Sequence, residues 1–234
     1  MPSIGTWGRL VTVYAERPSA LASTIAWQRV ADLDQRIVPD GCSDLIWDGT
    51  QLTVVGPDTG PHLALAVPGV VLSALRFAPG VGPAVFGVGA DELRDQRVDF
   101  GDLVSAAELR RATDRLASSP DPVTTLEEIV GARMRAPSPL MQIVARFLAV
   151  GHPVHAVADM VGLSARQLQR RSPAAFGYGP KLLAQILRFG RAAQLARSGV
   201  PFATVAATAG YSDQAHLARD VKRLSGVTLA QLIR

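Results

Sequence analysis

The feature that most limits what this chain can fold into is a repeat in its last third. At an offset of 48 residues, Pro153 matches Pro201, Val157-Ala158 matches Val205-Ala206, Gly162 matches Gly210 and Ser164 matches Ser212. One residue of slippage later, Leu168 matches Leu217, Arg170 matches Arg219 and Gly177 matches Gly226. Each copy reads as a proline start, a short apolar helix, a glycine turn, a serine cap and a second helix carrying arginine. That order describes a helix-turn-helix. The small Ala158 or Ala206 lets two helices cross closely, and Gly162 or Gly210 can take the positive φ of a sharp turn. Ser164 and Ser212 are placed to satisfy the free amides that open the second helix.

The stretch between the copies, Pro180 to Arg197, reads as one helix, because Leu182, Ile186, Phe189, Ala193 and Ala196 fall on one apolar stripe. Its 18 residues at about 1.5 Å each make a rod of about 27 Å. Such a spacer can hold two reading helices in successive major grooves, roughly 34 Å apart. The first copy would present Arg166, Gln169 and Arg170, with Leu168 turned inward. Arginine can bond both acceptors of a guanine, and glutamine can pair with adenine. The second copy offers Gln214, Ala215, Ala218 and Arg219, with His216 and Lys222 nearby. Alanines reach only thymine methyls, so this copy is expected to read fewer bases and to hold more phosphates. On an isolated helix the same residues would be a solvated face; the repeat is what points to a duplex.

Charge is distributed accordingly. The net charge of +4 is the sum of two unlike parts. Residues 138–234 hold 12 Lys+Arg against 3 acids, or +9, and residues 1–137 hold 12 against 17, or −5. A basic module behind an acidic one fits a polyanionic partner for the basic part.

Val205-Ala-Ala-Thr-Ala-Gly-Tyr-Ser-Asp-Gln-Ala-His-Leu-Ala-Arg219, followed by Lys222-Arg223, Gly226-Val-Thr228 and Arg234, closely resembles the second helix-turn-helix of AraC/XylS-type transcription regulators. Phe176-Gly-Tyr-Gly-Pro-Lys181 and Arg188-Phe189 look like the segment joining that family's two copies. The resemblance covers about residues 140–234. It implies a domain that binds double-stranded promoter DNA through two recognition helices, usually as an activator and sometimes as a repressor. By position, the base-facing residues would be Arg166, Gln169 and Arg170, then Gln214, Ala215, Ala218 and Arg219. Ser164, Arg171, Ser212, His216 and Lys222 complete the expected DNA-contacting set. RNA polymerase, a small-molecule effector and a second copy of the chain stay open as further partners. Three positions depart from the family pattern. Ser172-Pro173 replaces an aromatic-plus-polar pair, so the first recognition helix is expected to end early. Val221 stands where a phenylalanine is usual and Leu229 where a proline is usual; these are packing changes.

The front of the chain is punctuated differently. Residues 1–101 hold 8 of the 16 prolines and 12 of the 21 glycines. Between them lie short apolar runs: Val11-Thr-Val-Tyr14, Leu45-Ile-Trp47, Leu52-Thr-Val-Val55 and Val70-Val-Leu72. These read as strands joined by turns at Pro39-Asp-Gly41, Asp48-Gly49 and Ala78-Pro-Gly80, forming a small barrel or sandwich. After Asp102 the pattern turns helical. Ser105-Ala-Ala-Glu108 and Thr125-Leu-Glu-Glu128 read as capping boxes for helices over about 105–118 and 124–136, with Ser119-Pro-Asp-Pro122 as the breaker. Ser138-Pro139 opens a further helix to Val150. The expected fold is therefore α+β. A beta-rich domain over 1–137 ends in two helices, and an all-α domain over 138–234 carries two helix-turn-helix units joined by a long helix. Val38-Pro-Asp-Gly-Cys-Ser-Asp-Leu-Ile-Trp47, Leu75-Arg-Phe-Ala-Pro-Gly80 and Glu92-Leu-Arg-Asp-Gln-Arg-Val98 resemble an uncharacterised beta-rich domain that precedes such modules, which implies sensing or dimerisation.

Other function classes find less support. One cysteine, Cys42, excludes a disulfide framework and a multi-cysteine zinc site. Its acidic neighbours Asp40 and Asp44 disfavour a reactive thiolate, so it is expected to be a partly buried structural residue. Residues 1–137 contain one histidine, His62, so a cupin-like metal site lacks its ligands. No metal or cofactor is expected, and no enzymatic activity. Asp40, Asp44 and Asp48 recur every four residues among turn formers and do not match a calcium loop. Trp7, Trp27, Trp47, Phe77 and Phe86 would pack one core or line a cavity. The longest mostly apolar run, Leu63 to Leu75, is broken by Pro68-Gly69 and is too short to span a bilayer. With no export signal at the start, the chain is expected in the cytoplasm. The alternative reading of the helical module is a surface that docks a protein such as polymerase or an anti-regulator.

Overall fold

The computed structural model describes residues 14–233. Trp7, Val11 to Val13 of the first expected strand, and Arg234 lie outside the described residues. Among the described residues the front domain contains eight strands: β1 (Tyr14–Pro18), β2 (Thr24–Val30), β3 (Gln35–Ile37), β4 (Ser43–Trp47), β5 (Leu52–Val55), β6 (His62–Ala64), β7 (Val71–Phe77) and β8 (Arg97–Asp99). Six of them form one antiparallel sheet in the order β1-β2-β7-β4-β5-β8, and β3 pairs with β6 in a separate ribbon. Of the two expected forms, barrel or sandwich, the sheet does not close into a barrel: among the described residues β1 and β8 are its two edges. What covers it instead is helix. Side chains alternate across the pleat, so Ala26, Leu75, Leu45 and Val54, aligned across four neighbouring strands, share one face. That face packs with α1 (Gly82–Phe86), α2 (Ala106–Ala117) and α3 (Pro122–Arg133) into one core.

The aromatic residues divide between the two faces. Trp47 joins this core, where Phe77 meets Phe86 edge to face at 5.5 Å. Trp27 lies on the opposite face, where its indole N–H donates to Asp44 (2.8 Å). Helix α2 starts as expected, with the Ser105 hydroxyl accepting from Glu108 N–H, but the Glu108 carboxylate accepts from Arg133 (3.0 Å) instead of returning to the cap. Helix α3 begins earlier than expected. Asp121, inside the expected breaker, caps it through Thr124 N–H, and Pro122 occupies the first turn, where its missing N–H costs nothing. Glu128 pairs with Arg115 of α2.

A second core gathers α4 (Pro139–Val150), α5 (Val154–Met160), α6 (Ala165–Phe176), α7 (Pro180–Arg197), α8 (Phe202–Ala209), α9 (Gln214–Ser225) and α10 (Leu229–Leu232). Helix α7 has the expected bounds. Ile186, Phe189, Ala193 and Ala196 of its stripe are buried, joined by Leu183 and Ala192, while Leu182 is half-buried. Val221 and Leu229, the departures from the family pattern, are both buried packing residues. No helix among the described residues is long and apolar enough to cross a membrane.

Candidate nucleic-acid interface

In the first unit, α5 and α6 meet at a turn in which Gly162 takes φ +68°. Ser164 caps α6 in both directions: its hydroxyl accepts from Gln167 N–H (3.2 Å), and its own N–H donates to Gln167 Oε1 (2.8 Å). Leu168 is fully buried, which turns Arg166, Gln169, Arg170 and Arg171 to solvent along with Ser164. The helix does not end early. Buried Ser172 donates to the Leu168 carbonyl (2.8 Å), and Pro173 removes one amide donor close to the C-terminal end, so α6 continues to Phe176. Gln169 folds toward the turn after the helix; a Cβ on Gly179 would stand 2.6 Å from its Nε2.

In the second unit the turn glycine, Gly210, has φ +83°. The cap differs from expectation. Asp213, not Ser212, caps α9, and its carboxylate accepts from His216 N–H (2.6 Å). That bond, followed by one from Ser212, holds Asp213 below the usual carboxylate range. Ser212 Oγ instead pairs with Asp213 Oδ2 and His216 Nδ1, both at 3.1 Å. The half-buried His216 ring stands edge-on to Tyr211 at 5.1 Å, so it is committed to the turn. Lys222 reaches back to the Gly226 carbonyl (2.7 Å) and neutralises the C-terminal end of α9. Leu217, Val221 and Leu224 face the core, leaving Gln214, Ala215, Ala218 and Arg219 exposed together. Arg166, Arg170, Arg171 and Arg219 take part in no ion pair among the described residues.

Two arginines of α7 tie the units together: Arg188, which the sequence placed in the joining segment, and Arg191, which it did not mark. Arg191 bonds the carbonyls of Leu148 (3.4 Å) and Ala149 at the end of α4, and that of Ala209 (3.2 Å) at the end of α8. One guanidinium thus answers the negative ends of two helices, one beside each unit. Burial and the neighbouring Arg188 hold its pKa below the ordinary value. Arg188 stacks 4.3 Å over Tyr211 and donates to Asp220 of α9 (2.7 Å), which also accepts from Arg223 (3.2 Å). Burial opposes the charge on Asp220, but these two arginines hold its carboxyl below the usual range. No sequence pattern marks Arg191, because its partners are backbone atoms more than a helix away.

The front domain touches both second helices at the same position of the repeat. Gly177 ends α6 at φ +84°, and a Cβ there would lie 2.5 Å from Pro57. Beside it, Ala90 N–H donates to the Ala174 carbonyl (2.9 Å) and Arg94 donates to the Gly177 carbonyl (3.4 Å). Gly226 ends α9 at φ +73°, with Arg36 of β3 and Pro61, the residue before β6, against it, and Arg36 donates to the Ser225 carbonyl (3.3 Å).

Residues 157–234 match a helix-turn-helix domain family, and residues 21–99 match a domain of unknown function (DUF6597). The C-terminal domain is an AraC/XylS-type helix-turn-helix domain. Among solved structures, the chain is similar to the C-terminal domain of AraT, a response regulator from Geobacillus stearothermophilus. That match has 23% identity over 42% of this chain and 85% of the other, with a TM-score of 0.39. A probable AraC family transcriptional regulator from Rhodopseudomonas palustris CGA009 is 20% identical over 41% of this chain and 95% of its own, at a TM-score of 0.36. ToxT from Vibrio cholerae is 7% identical over 94% of this chain and 98% of its own, at a TM-score of 0.47. No curated protein matches the sequence.

Proposed function

We propose that the chain is a cytoplasmic regulator of transcription that reads duplex promoter DNA with α6 and α9 in successive major grooves. Residues up to about 137 would form its sensing or association domain, and residues 138–234 its DNA-binding domain. The observation that carries this reading is a pair of exposed faces, Arg166-Gln169-Arg170 and Gln214-Ala215-Ala218-Arg219, on two units joined by one 18-residue helix. Exposed arginines without carboxylate partners keep their donors available for phosphate and guanine. Ser164, Arg171 and Ser212 stand at the rim for backbone contacts. Lys222 and His216 would act at one remove, by fixing the end and the start of α9.

The two units present unlike parts to the seam between them. Residues 151–154, which lead into α5, come from the first unit, and residues 208–210, which leave α8, come from the second. A two-fold axis would set like against like, so the two half-sites are expected to run in the same direction.

Selection of bound sequences from a random duplex pool with the full chain tests the reading. Two short motifs in the same orientation, about one helical turn apart, are expected. Affinity for the winning duplex should then fall steeply between low and physiological salt. Recovery of no enriched sequence, or binding indifferent to salt, would overturn the proposal.

A further inference from the structure

Between the two units lies a groove of about 390 Å³ whose chemistry the reading helices do not use. One wall is the entry to α5 with His152; the other is the turn 208–210 that leads to the cap of α9. Its floor is one face of α7, where Lys181, Gln185, Arg188 and Arg191 follow at helical spacing. No aspartate or glutamate lines it. Among the described residues, only one of its cations has a carboxylate behind it. Arg191 is held by backbone carbonyls, which carry no net charge, and Arg188 shares the single carboxylate of Asp220 with Arg223. Lys181 stands exposed at one end. The site therefore keeps a net positive charge in a concave space, and concavity with one sign of charge concentrates the field on an anion.

The groove is walled by the entry to α5 and the exit from α8, the segments that lead on to α6 and α9. A duplex that offers successive major grooves to those helices passes its intervening minor groove across the seam, with a ridge of phosphates on each side. We propose that this groove seats backbone phosphate from that central stretch, with Lys181 as the principal donor and Gln185 and His152 beside it. The inference rests on the DNA-binding reading above. It adds a site in the connector, outside both helix-turn-helix motifs, that takes phosphodiester oxygen without regard to sequence.

The test uses the full chain and the duplex recovered by selection with it. Methylphosphonate linkages, which remove one phosphate charge at a time, are placed singly through the base pairs between the two half-sites. Wild-type binding is expected to weaken several-fold at one or two of these positions. Lys181→Gln, at an exposed residue where folding is not at risk, is expected to weaken all duplexes alike and to lower the salt slope by about one. In that variant the sensitive methylphosphonates should cost little more, which shows that the lysine and the phosphate act as a pair. Wild-type binding that ignores every central methylphosphonate, or a Lys181→Gln slope equal to wild type, overturns the seat and leaves DNA recognition standing. A wild-type chain that binds no duplex removes both.

Discussion

Arg170 and Leu168 lie two residues apart on α6 and face opposite ways, so truncating each tests a different link. Arg170→Ala removes donors from an exposed face, and its cost should appear only against the selected duplex, at about 1–3 kcal/mol, with relaxed preference at one or two base pairs. Competition binding on single-base variants reads this directly; equal losses on selected and random duplex would make Arg170 a phosphate contact. Leu168→Ala leaves a cavity in the second core and should cost about 2–5 kcal/mol of stability, seen as a lowered Tm. Asp44 poses a different question. It accepts from Trp27 and from Arg76 Nε (3.2 Å), yet burial lifts its carboxyl to about 6 from an ordinary 3.8. A carboxyl with a raised folded pKa binds its proton more tightly folded than unfolded. Its contribution to stability is thus present below about pH 4 and lost as pH rises through about 6. His62 acts in the opposite sense. Burial and Arg97 lower its pKa from 6.5, so its contribution is lost as pH falls. In Asp44→Asn the descending component should vanish, and Tm should rise with pH across this window more than in the wild type. A Tm profile parallel to wild type would remove Asp44 as its source.

At the scale of elements, the caps decide where helices begin. Asp213→Ala should cost about 0.5–2 kcal/mol and Ser212→Ala only a few tenths, because the former carries the bond to His216 N–H. Denaturant unfolding of the two variants distinguishes them, and the reverse order would restore Ser212 as the cap. The repeat nearly reveals this: its offset is 48 up to Ser212 and 49 from Leu217, so the extra residue sits in the turn. Two good caps in adjacent positions cannot be ranked without knowing the backbone. Helix α7 was legible to its last residue, because eighteen residues of one apolar period leave little choice. Strands β3, β6 and β8 were not legible. Each is three residues long and is specified by a partner 25 to 46 residues away in the chain, as in Ile37 with His62 and Thr53 with Asp99. The boxes read at Ser105 and Thr125 missed for a related reason: their glutamates found arginines on the neighbouring helix, a tertiary choice that local pattern does not contain.

On the scale of the whole molecule, the chain is two cores, and among the contacts between the front and rear domains two fall at matched points of the repeat. Arg36→Ala removes the one side-chain bond at the second of these. Amide exchange should quicken at 226–228 and stay unchanged at 177–179; a uniform response would mean that the two contacts are not independent. Gly177 and Gly226 occupy the same place in their copies, and each is pressed against a different part of the front domain, Pro57 and Ala90 for one, the β3–β6 ribbon for the other. The sheet domain therefore works as a caliper whose jaws rest on the tails of both probes. On the DNA-binding reading proposed above, a change of an ångström in its width is expected to reset the gauge, so that one preferred spacing of half-sites gives way to another.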